Sequence, residues 1–359
     1  MTRRRKLTAL VELHQQLDVA IKENREHFLS DWNGDHPFVE LYLGPELLNP
    51  TLEKPLPSKY LYFDEQTHIL DSIRSFHLEI EGLNISSNHM LAGPGSSSIL
   101  AAFALWILYQ GWNEVFYVPP LYYTLHYFLQ LLGVGTRPVT GKQVFEAGSA
   151  LNLPEKKTLL LLCDPVWYAG YSIPDDKILQ IAEWQSHTGS LVFVDGSFQY
   201  MKWTGKREEA TSRFDPELTF RLISPTKSLA IPFFRFAYLL HPSSLHTELL
   251  FLYENLVGGV SISDVKFAER SMAVLRSVTN NRDLCSFLRC TFEELLAKGL
   301  IETTINPDCG YFTFAEPKAG LPNQLIMDQE YFELKNYPGY ARINLMGSQR
   351  LLRSGKWKV

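Results

Sequence analysis

Short apolar runs alternate in the middle of the chain with segments whose apolar residues recur at helical spacing. The apolar runs predict buried strands at residues 115–118, 159–163, 191–194, 220–223 and 236–240. The helical spacing predicts helices at residues 69–81, 99–109, 122–132 and 175–187. Strands and helices in alternation predict an α/β fold, with a mixed, mostly parallel sheet sandwiched by helices.

The pattern changes toward both ends of the chain. Residues 7–30 carry leucines at helical spacing, which predicts an amphipathic helix, and a proline-rich segment follows at 37–57. Beyond residue 242 the pattern predicts one long helical stretch and then short strands at 311–314 and 341–345. We therefore expect an N-terminal helix and arm, a large domain and a smaller α+β domain, at residues 1–50, 51–242 and 243–359.

Composition and charge narrow the classes of function. Of 359 residues, 45% are apolar and 20% charged, an ordinary balance for a globular protein. The net charge of −5 gives no reason to expect nucleic acid or an anionic membrane as a partner. No apolar region follows the basic residues 3–6 and no run approaches a membrane span, so we expect a cytoplasmic protein. The four cysteines lack the spacing of a metal site, and we expect them to be reduced and structural, with no bound metal.

One lysine lies directly after a predicted strand, where ligands bind in sheets of this kind. Lys227 ends the segment Ser224-Pro225-Thr226-Lys227, and Arg235 follows eight residues later. A lysine that forms a Schiff base must be partly desolvated so that its amine loses a proton. Neighbouring hydroxyls and an arginine suit a phosphate dianion. Taken alone, the segment is equally consistent with a turn that carries a surface lysine.

Residues suited to ligand binding or catalysis also lie at other predicted strand ends. Gly95-Ser96-Ser97 precedes a helix, whose free N–H groups bind phosphate. Tyr122 offers a ring that stacks on a flat heterocycle, and Asp195 ends an apolar strand, where a carboxylate needs a cationic partner such as a protonated pyridine. Arg342, flanked by apolar residues, suits a substrate carboxylate. Each residue also has a purely structural explanation. The serines suit a helix cap, Tyr122 suits core packing, Asp195 suits a helix cap or turn, and Arg342 suits a salt bridge.

In order and spacing, these residues resemble the fold type I pyridoxal-phosphate (PLP) enzymes, and within them the aminotransferase class I/II family, including histidinol-phosphate-aminotransferase-like members. The resemblance spans residues 40–350. Its most specific part is Ser224-x-Thr226-Lys227 with Pro232 and Arg235, which is similar to the family's S-x-[ST]-K…P-x-x-R signature. Further matching segments are Gly95-Ser96-Ser97-Ser98-Ile99, Pro120-x-Tyr122, Asp164-Pro165…Gly170, Val194-Asp195, Gly310-Tyr311-Phe312, Tyr340-x-Arg342-Ile343 and, more loosely, Tyr62-Phe63-Asp64.

The resemblance implies a PLP cofactor and a homodimer with shared active sites. Lys227 would hold the cofactor as a Schiff base and transfer the substrate proton, Asp195 would keep the ring nitrogen protonated and Tyr122 would stack on the ring. These three are the implied catalytic residues. The implied cofactor-binding set is Gly95, Ser96, Ser97, Tyr122, Asp195, Ser224, Thr226, Lys227, Arg235 and Tyr62, the last reaching the partner subunit's phosphate. The implied substrate-binding residues are Arg342, Gly44 and Trp167.

The chain departs from this family around the cofactor's phenolic oxygen. Where members usually carry N-P-x-N-P-T-G, this chain has Asp164-Pro165-Val166-Trp167-Tyr168-Ala169-Gly170. Trp167 therefore stands where the family has an asparagine, and Phe198 where it has a tyrosine, although both family residues donate to that oxygen. Loss of both donors raises the pKa of the Schiff base, unless another tyrosine substitutes for them: Tyr168, Tyr171 or Tyr200.

The expected activity is PLP-dependent transamination of an α-amino acid, with a keto acid as the second substrate. The altered phenolate environment also suits a cyclase, lyase or oxidase of an amino acid in specialised biosynthesis, with an arginine-like substrate among the candidates. A third alternative is a degenerate scaffold without turnover. The joint presence of Lys227, Asp195, Arg235 and Arg342 argues against that alternative, because a decayed site has no reason to keep all four.

Overall fold

The computed structural model describes residues 36–48, 60–318 and 334–354, together with the single positions Gln15, Val19 and Phe332. The basic cluster at residues 3–6, and the predicted helix at 7–30 apart from those first two positions, lie outside the described residues. The α-helices are Val39–Leu43, Pro45–Leu48, Thr67–Glu81, Ser96–Tyr109, Tyr123–Leu131, Asp175–Thr188, Pro225–Ser228, His246–Val257, Ile262–Arg276, Val278–Ala297 and Leu345–Ser354.

Within the described residues, seven strands form the larger sheet: β1 (Met90–Gly93), β2 (Glu114–Tyr117), β3 (Gly135–Pro138), β4 (Leu159–Cys163), β5 (Leu191–Gly196), β6 (Thr219–Ile223) and β7 (Ala237–Leu240). Their spatial order is β1-β7-β6-β5-β4-β2-β3. Only β7 runs antiparallel to its neighbours, β1 and β6. The predicted fold class is confirmed.

Helices cover both faces of this sheet because successive strand residues point to opposite sides. Phe220 of β6 packs on Phe103 of the helix Ser96–Tyr109, with ring centroids 4.9 Å apart. The next residue, Arg221, lies on the other face and contacts the last turn of the helix Thr67–Glu81. The large sheet therefore forms the middle layer between the helices.

A smaller antiparallel sheet follows in the C-terminal part of the chain. It contains β8 (Ile301–Glu302), β9 (Phe312–Pro317) and β10 (Ala341–Asn344) in the order β10-β9-β8. Arg342 lies opposite Phe314 in the register of β10 and β9. The domain boundaries at residues 50 and 242 stay a prediction.

Some predicted elements differ from the structure. The prediction of a single helical stretch beyond residue 242 was wrong. Gly258, with φ of +67°, ends one helix, and the Ser261 hydroxyl caps the next. The strands β1 and β3 were not predicted. Both lie at sheet edges, and Gly135-Thr136-Arg137-Pro138 lacks an apolar alternation. The strand β5 also continues through Asp195, which places that carboxylate inside the strand rather than after it.

Two further observations concern the sequence-based expectations. Among the residues that the structure describes, no helix combines the length and apolar character needed to cross a bilayer. All four cysteines are free thiols, and Cys290 is the exposed one.

A buried ion pair fixes β6 to the helix behind it. Arg221 Nη1 donates to Glu81 Oε2 over 2.8 Å, and the Glu81 side chain is fully buried. His77 Nδ1 lies 2.8 Å from the same oxygen, and the Tyr200 hydroxyl donates to Oε1 over 3.1 Å. Burial alone raises the pKa of Glu81, but the Arg221 charge and the His77 contact outweigh it and hold that pKa well below its usual range.

We expect Glu81→Gln to lower the free energy of unfolding by about 3–5 kcal/mol, because it leaves the Arg221 cation buried without its anion. Denaturant titration measures this change. The matched control is Asp71→Asn, which removes the exposed Arg74–Asp71 pair (3.0 Å) and should change stability by less than about 0.5 kcal/mol. Similar losses of unfolding free energy in both variants would show that the buried Arg221–Glu81 pair stabilises the fold no more than an exposed pair does.

Candidate active site

The parallel strands deliver chemically active residues to one edge of the large sheet. Gly95 follows β1, Tyr122 follows β2, Trp167 follows β4, Asp195 lies near the end of β5 and Lys227 follows β6. The carboxyl ends of parallel strands meet at the same edge, which is where open α/β sheets bind ligands. This edge is the candidate active site.

The amine of Lys227 lies among aromatic rings and charges. Its Nζ is 4.9 Å from the centroid of the Tyr122 ring and 5.5 Å from that of Phe198. Desolvation lowers the pKa of Lys227 and the Arg235 charge lowers it further, while Asp195 acts in the opposite direction. A lowered pKa increases the fraction of neutral amine, which is the nucleophilic form.

One oxygen of Asp195 is held by Ser197. The Ser197 hydroxyl donates to Asp195 Oδ1 over 2.5 Å, and the Ser197 backbone N–H donates to the same oxygen over 3.1 Å. Both side chains are buried. The second oxygen, Oδ2, receives no hydrogen bond from the residues that the structure describes. Oδ2 is therefore the oxygen that can accept a hydrogen bond from a bound cation.

A cradle for an anion forms where β1 leads into the helix Ser96–Tyr109. Gly95 has φ of +93°, and a Cβ built on it would lie 2.4 Å from Nη2 of Arg235. The guanidinium therefore packs directly on the Gly95 backbone. Ser96 is buried in the first turn, where N–H groups lack helical partners. A helix N-terminus beside an arginine fits a phosphate group.

Two more of the predicted cofactor-binding residues lie in the turn that carries Lys227. Ser224 is buried and precedes the short helix Pro225–Ser228. The Thr226 hydroxyl donates to the Phe236 carbonyl over 2.8 Å and accepts from the Phe236 N–H over 3.0 Å. Thr226 therefore ties the turn after β6 to the start of β7, and its role toward a cofactor stays a prediction.

Arg342 reaches the candidate active site from the smaller sheet. Its side chain is fully buried, and its Cζ lies 4.2 Å from the ring centroid of Phe312 and 5.5 Å from that of Trp167. Trp167 in turn meets Tyr122 edge-on, with centroids 5.5 Å apart. Aromatic faces stabilise a guanidinium, and low-dielectric surroundings strengthen its attraction for a carboxylate.

The three tyrosines named as substitutes for the absent phenolic donors, Tyr168, Tyr171 and Tyr200, contact other groups. The Tyr200 hydroxyl accepts a hydrogen bond from Arg221 over 2.7 Å, on the face away from the site. Tyr168 stacks on Phe332 with centroids 4.0 Å apart, and Tyr171 meets Phe145 edge-on. The substitution of a tyrosine for the absent donors therefore stays a prediction.

Two predicted site residues are not joined to this cluster. Gly44, with φ of +72°, lies between the first two short helices. Tyr62 lies before the helix Thr67–Glu81, and its carbonyl accepts from the Gln66 amide over 3.3 Å. No hydrogen bond or ring contact within the described residues links either one to Lys227. Their substrate and cofactor roles stay predictions.

The structure adds residues that sequence reasoning did not place in the site. Ser197 had no predicted role, although a serine two residues after an aspartate is a known local hydrogen-bond pattern. Tyr253 places its hydroxyl where a Cβ on Gly93 would lie, 1.6 Å from that position, and 3.4 Å from the Ser98 hydroxyl. No sequence pattern near Tyr253 predicts this contact, because its partner Ser98 is 155 residues away in the chain.

This fold is that of known aminotransferases. N-succinyldiaminopimelate aminotransferase from Mycobacterium tuberculosis superposes with a TM-score of 0.74 at 16% identity, over 100% of both chains. A probable N-succinyldiaminopimelate aminotransferase from Thermus thermophilus superposes with a TM-score of 0.73 at 16% identity, over 96% of this chain and 99% of the Thermus chain. A PLP-bound putative aminotransferase from Clostridium difficile superposes with a TM-score of 0.72 at 14% identity, over 92% of each chain. No family model matches the chain, and no curated protein does. The fold implied by the sequence resemblance is confirmed.

We expect Gly95→Ala to weaken PLP binding by at least about tenfold, since the strained φ and the displaced Arg235 together exceed about 1.4 kcal/mol. Titration of cofactor fluorescence measures the dissociation constant. Gly189→Ala is the matched control, because Gly189 also has a positive φ (+63°) but nothing within 4 Å of its Cβ position. Equal affinities in the two variants would contradict the location of the phosphate cradle.

Proposed function

We propose that this protein is a PLP-dependent aminotransferase that acts on an α-amino acid and a keto acid. The observation that carries the proposal is the meeting of Lys227, Asp195 and Arg342 at the strand-end edge of an aminotransferase fold. The electrostatic coupling of Lys227 to both other residues supports a single site. An amine, an acid and a carboxylate-binding cation are the groups that transamination requires.

The residues at this edge fit PLP. The Gly95 helix start and Arg235 suit its phosphate, and Asp195 Oδ2 is an acceptor for the ring N–H. Tyr122 is proposed to stack on the pyridine, and the 4.9 Å between its ring centroid and Lys227 Nζ supports this role. When bound, PLP supplies an electron sink for charge that develops on the substrate α-carbon. Tyr62, Ser224 and Thr226 complete the proposed cofactor contacts.

In this function Lys227 would hold the cofactor through its amine, as the Schiff base that the resemblance implies, and would move a proton at the substrate α-carbon. Its lowered pKa supports both tasks, because each needs the neutral amine. Arg342 binds the substrate carboxylate, and its burial excludes the water that would compete for it. Gly44 and Trp167 are proposed to line the substrate pocket.

The proposal includes a homodimer with shared active sites in the cytoplasm. Exposed aromatic rings close in sequence to proposed cofactor residues support an interface: Tyr60 is 77% exposed beside Tyr62, and Phe233 is 63% exposed beside Arg235. Exposed apolar surface of this kind favours association between protein chains.

The function is tested by an absorbance scan of the protein with PLP, before and after addition of an amino-acid pool. The wild type and the exposed-lysine control Lys142→Ala should give a visible band, which Lys227→Ala should lack. An effective amino acid should then convert the band into the pyridoxamine spectrum. The absence of any Lys227-dependent band would refute the proposal. A band that persists with every amino acid would instead favour elimination, cyclisation or oxidation.

We expect Phe198→Tyr to lower the pKa of the Schiff base by about one unit, the equivalent of one hydrogen bond. A hydroxyl that donates to the cofactor's phenolic oxygen shares its negative charge and so weakens its hold on the imine proton. An absorbance titration against pH measures the midpoint. Phe198→Leu, which removes the ring without adding a donor, is the control. An unchanged titration midpoint in Phe198→Tyr would mean that the cofactor's phenolic oxygen does not lie beside residue 198.

A further inference from the structure

A serine hydroxyl and a backbone N–H converge on a single oxygen of Asp195. The distances are 2.5 Å from Ser197 Oγ and 3.1 Å from Ser197 N, both to Oδ1. Ser197 is 3% exposed and Asp195 is 5% exposed, so water competes little for these bonds. A hydrogen bond to an ionised acceptor in such surroundings is strong and directional.

The main chain around Asp195 is also held on both sides. The Asp195 carbonyl accepts from the Asp164 N–H over 3.1 Å, and β5 pairs in register with Cys163 of β4 and Leu222 of β6. The remaining freedom is rotation of the side chain about χ1 and χ2, the second of which is broad for aspartate. The two Ser197 donors remove that freedom, because they fix which oxygen is occupied.

We propose that Ser197 is a positioning residue, whose hydroxyl turns Asp195 so that Oδ2 faces the ring nitrogen of the cofactor. This inference rests on the proposed function. Oδ2 receives no hydrogen bond from the described residues, whereas Oδ1 is saturated by Ser197. The ring N–H then meets one oriented acceptor instead of a rotating carboxylate, and the orientation is fixed before the cofactor binds.

The test compares Ser197→Ala and Ser197→Gly with the control Ser271→Ala. Ser271 is equally buried, and its hydroxyl donates to the Ala268 carbonyl over 3.0 Å within a helix remote from Asp195 in sequence. Each protein is titrated with PLP and with an analogue that has carbon in place of the ring nitrogen. The protonation of the ring nitrogen is read by NMR of PLP isotope-labelled at that atom.

We expect the Ser197 variants to bind PLP about tenfold more weakly than the wild type, as one charge-assisted hydrogen bond predicts. They should bind the carbon analogue within about twofold of the wild type, because the analogue has no N–H to orient. The ring-nitrogen resonance should shift toward the unprotonated form in these variants and not in Ser271→Ala.

Equal losses for PLP and the analogue, or an unmoved resonance, would overturn the assignment and leave Ser197 a structural residue. Failure of both Ser197 variants to fold would overturn it in the same way, since the hydroxyl would then support the strand end itself. A wild-type protein that forms no Lys227-dependent band would instead refute the proposed function, so the two failures are distinguishable.

Discussion

The candidate site depends on the in-register parallel pairing of β4, β5 and β6. Cys163 lies opposite Asp195, which in turn lies opposite Leu222. A slip of one residue in β5 would turn Asp195 to the opposite face of the sheet and separate it from Lys227. The register is set by side chains that are excluded from water on both faces, among them Leu160 and Phe193. Apolar packing thus decides where the charges are placed.

Two buried charged groups, one on β6 and one at the end of the neighbouring strand β5, differ in how far their hydrogen-bonding capacity is satisfied. Behind the sheet, Arg221 and Glu81 form a paired and fully hydrogen-bonded network with Tyr200. At the strand end, the Asp195 carboxylate keeps one oxygen without a protein donor among the described residues, near the Lys227 amine. A satisfied buried network resists displacement. The rear network can therefore hold β6 in place while the strand end stays ready to exchange its partners with a ligand.

The sequence predicted the fold class and central strands because runs such as residues 159–163 are buried on both faces and therefore apolar throughout. It did not predict the edge strand β3, whose residues face water and carry little pattern. It also placed Lys227 and Asp195 at neighbouring strand ends. It could not supply the contact between Tyr253 and the Gly95 loop region, since tertiary packing alone joins segments so far apart in the chain.

The aromatic residues that stand where the resembled family has hydrogen-bond donors also account for the burial of a cation. Trp167 presents its ring to the Arg342 guanidinium, and Phe312 does so from the neighbouring strand β9. Phe198 and Tyr122 flank the Lys227 amine in the same manner. Ring faces offset part of the desolvation of a cation, and an asparagine at position 167 would offer none. The two aromatic residues at positions where the resembled family has donors therefore each contact a buried cation: Trp167 contacts Arg342, and Phe198 contacts Lys227.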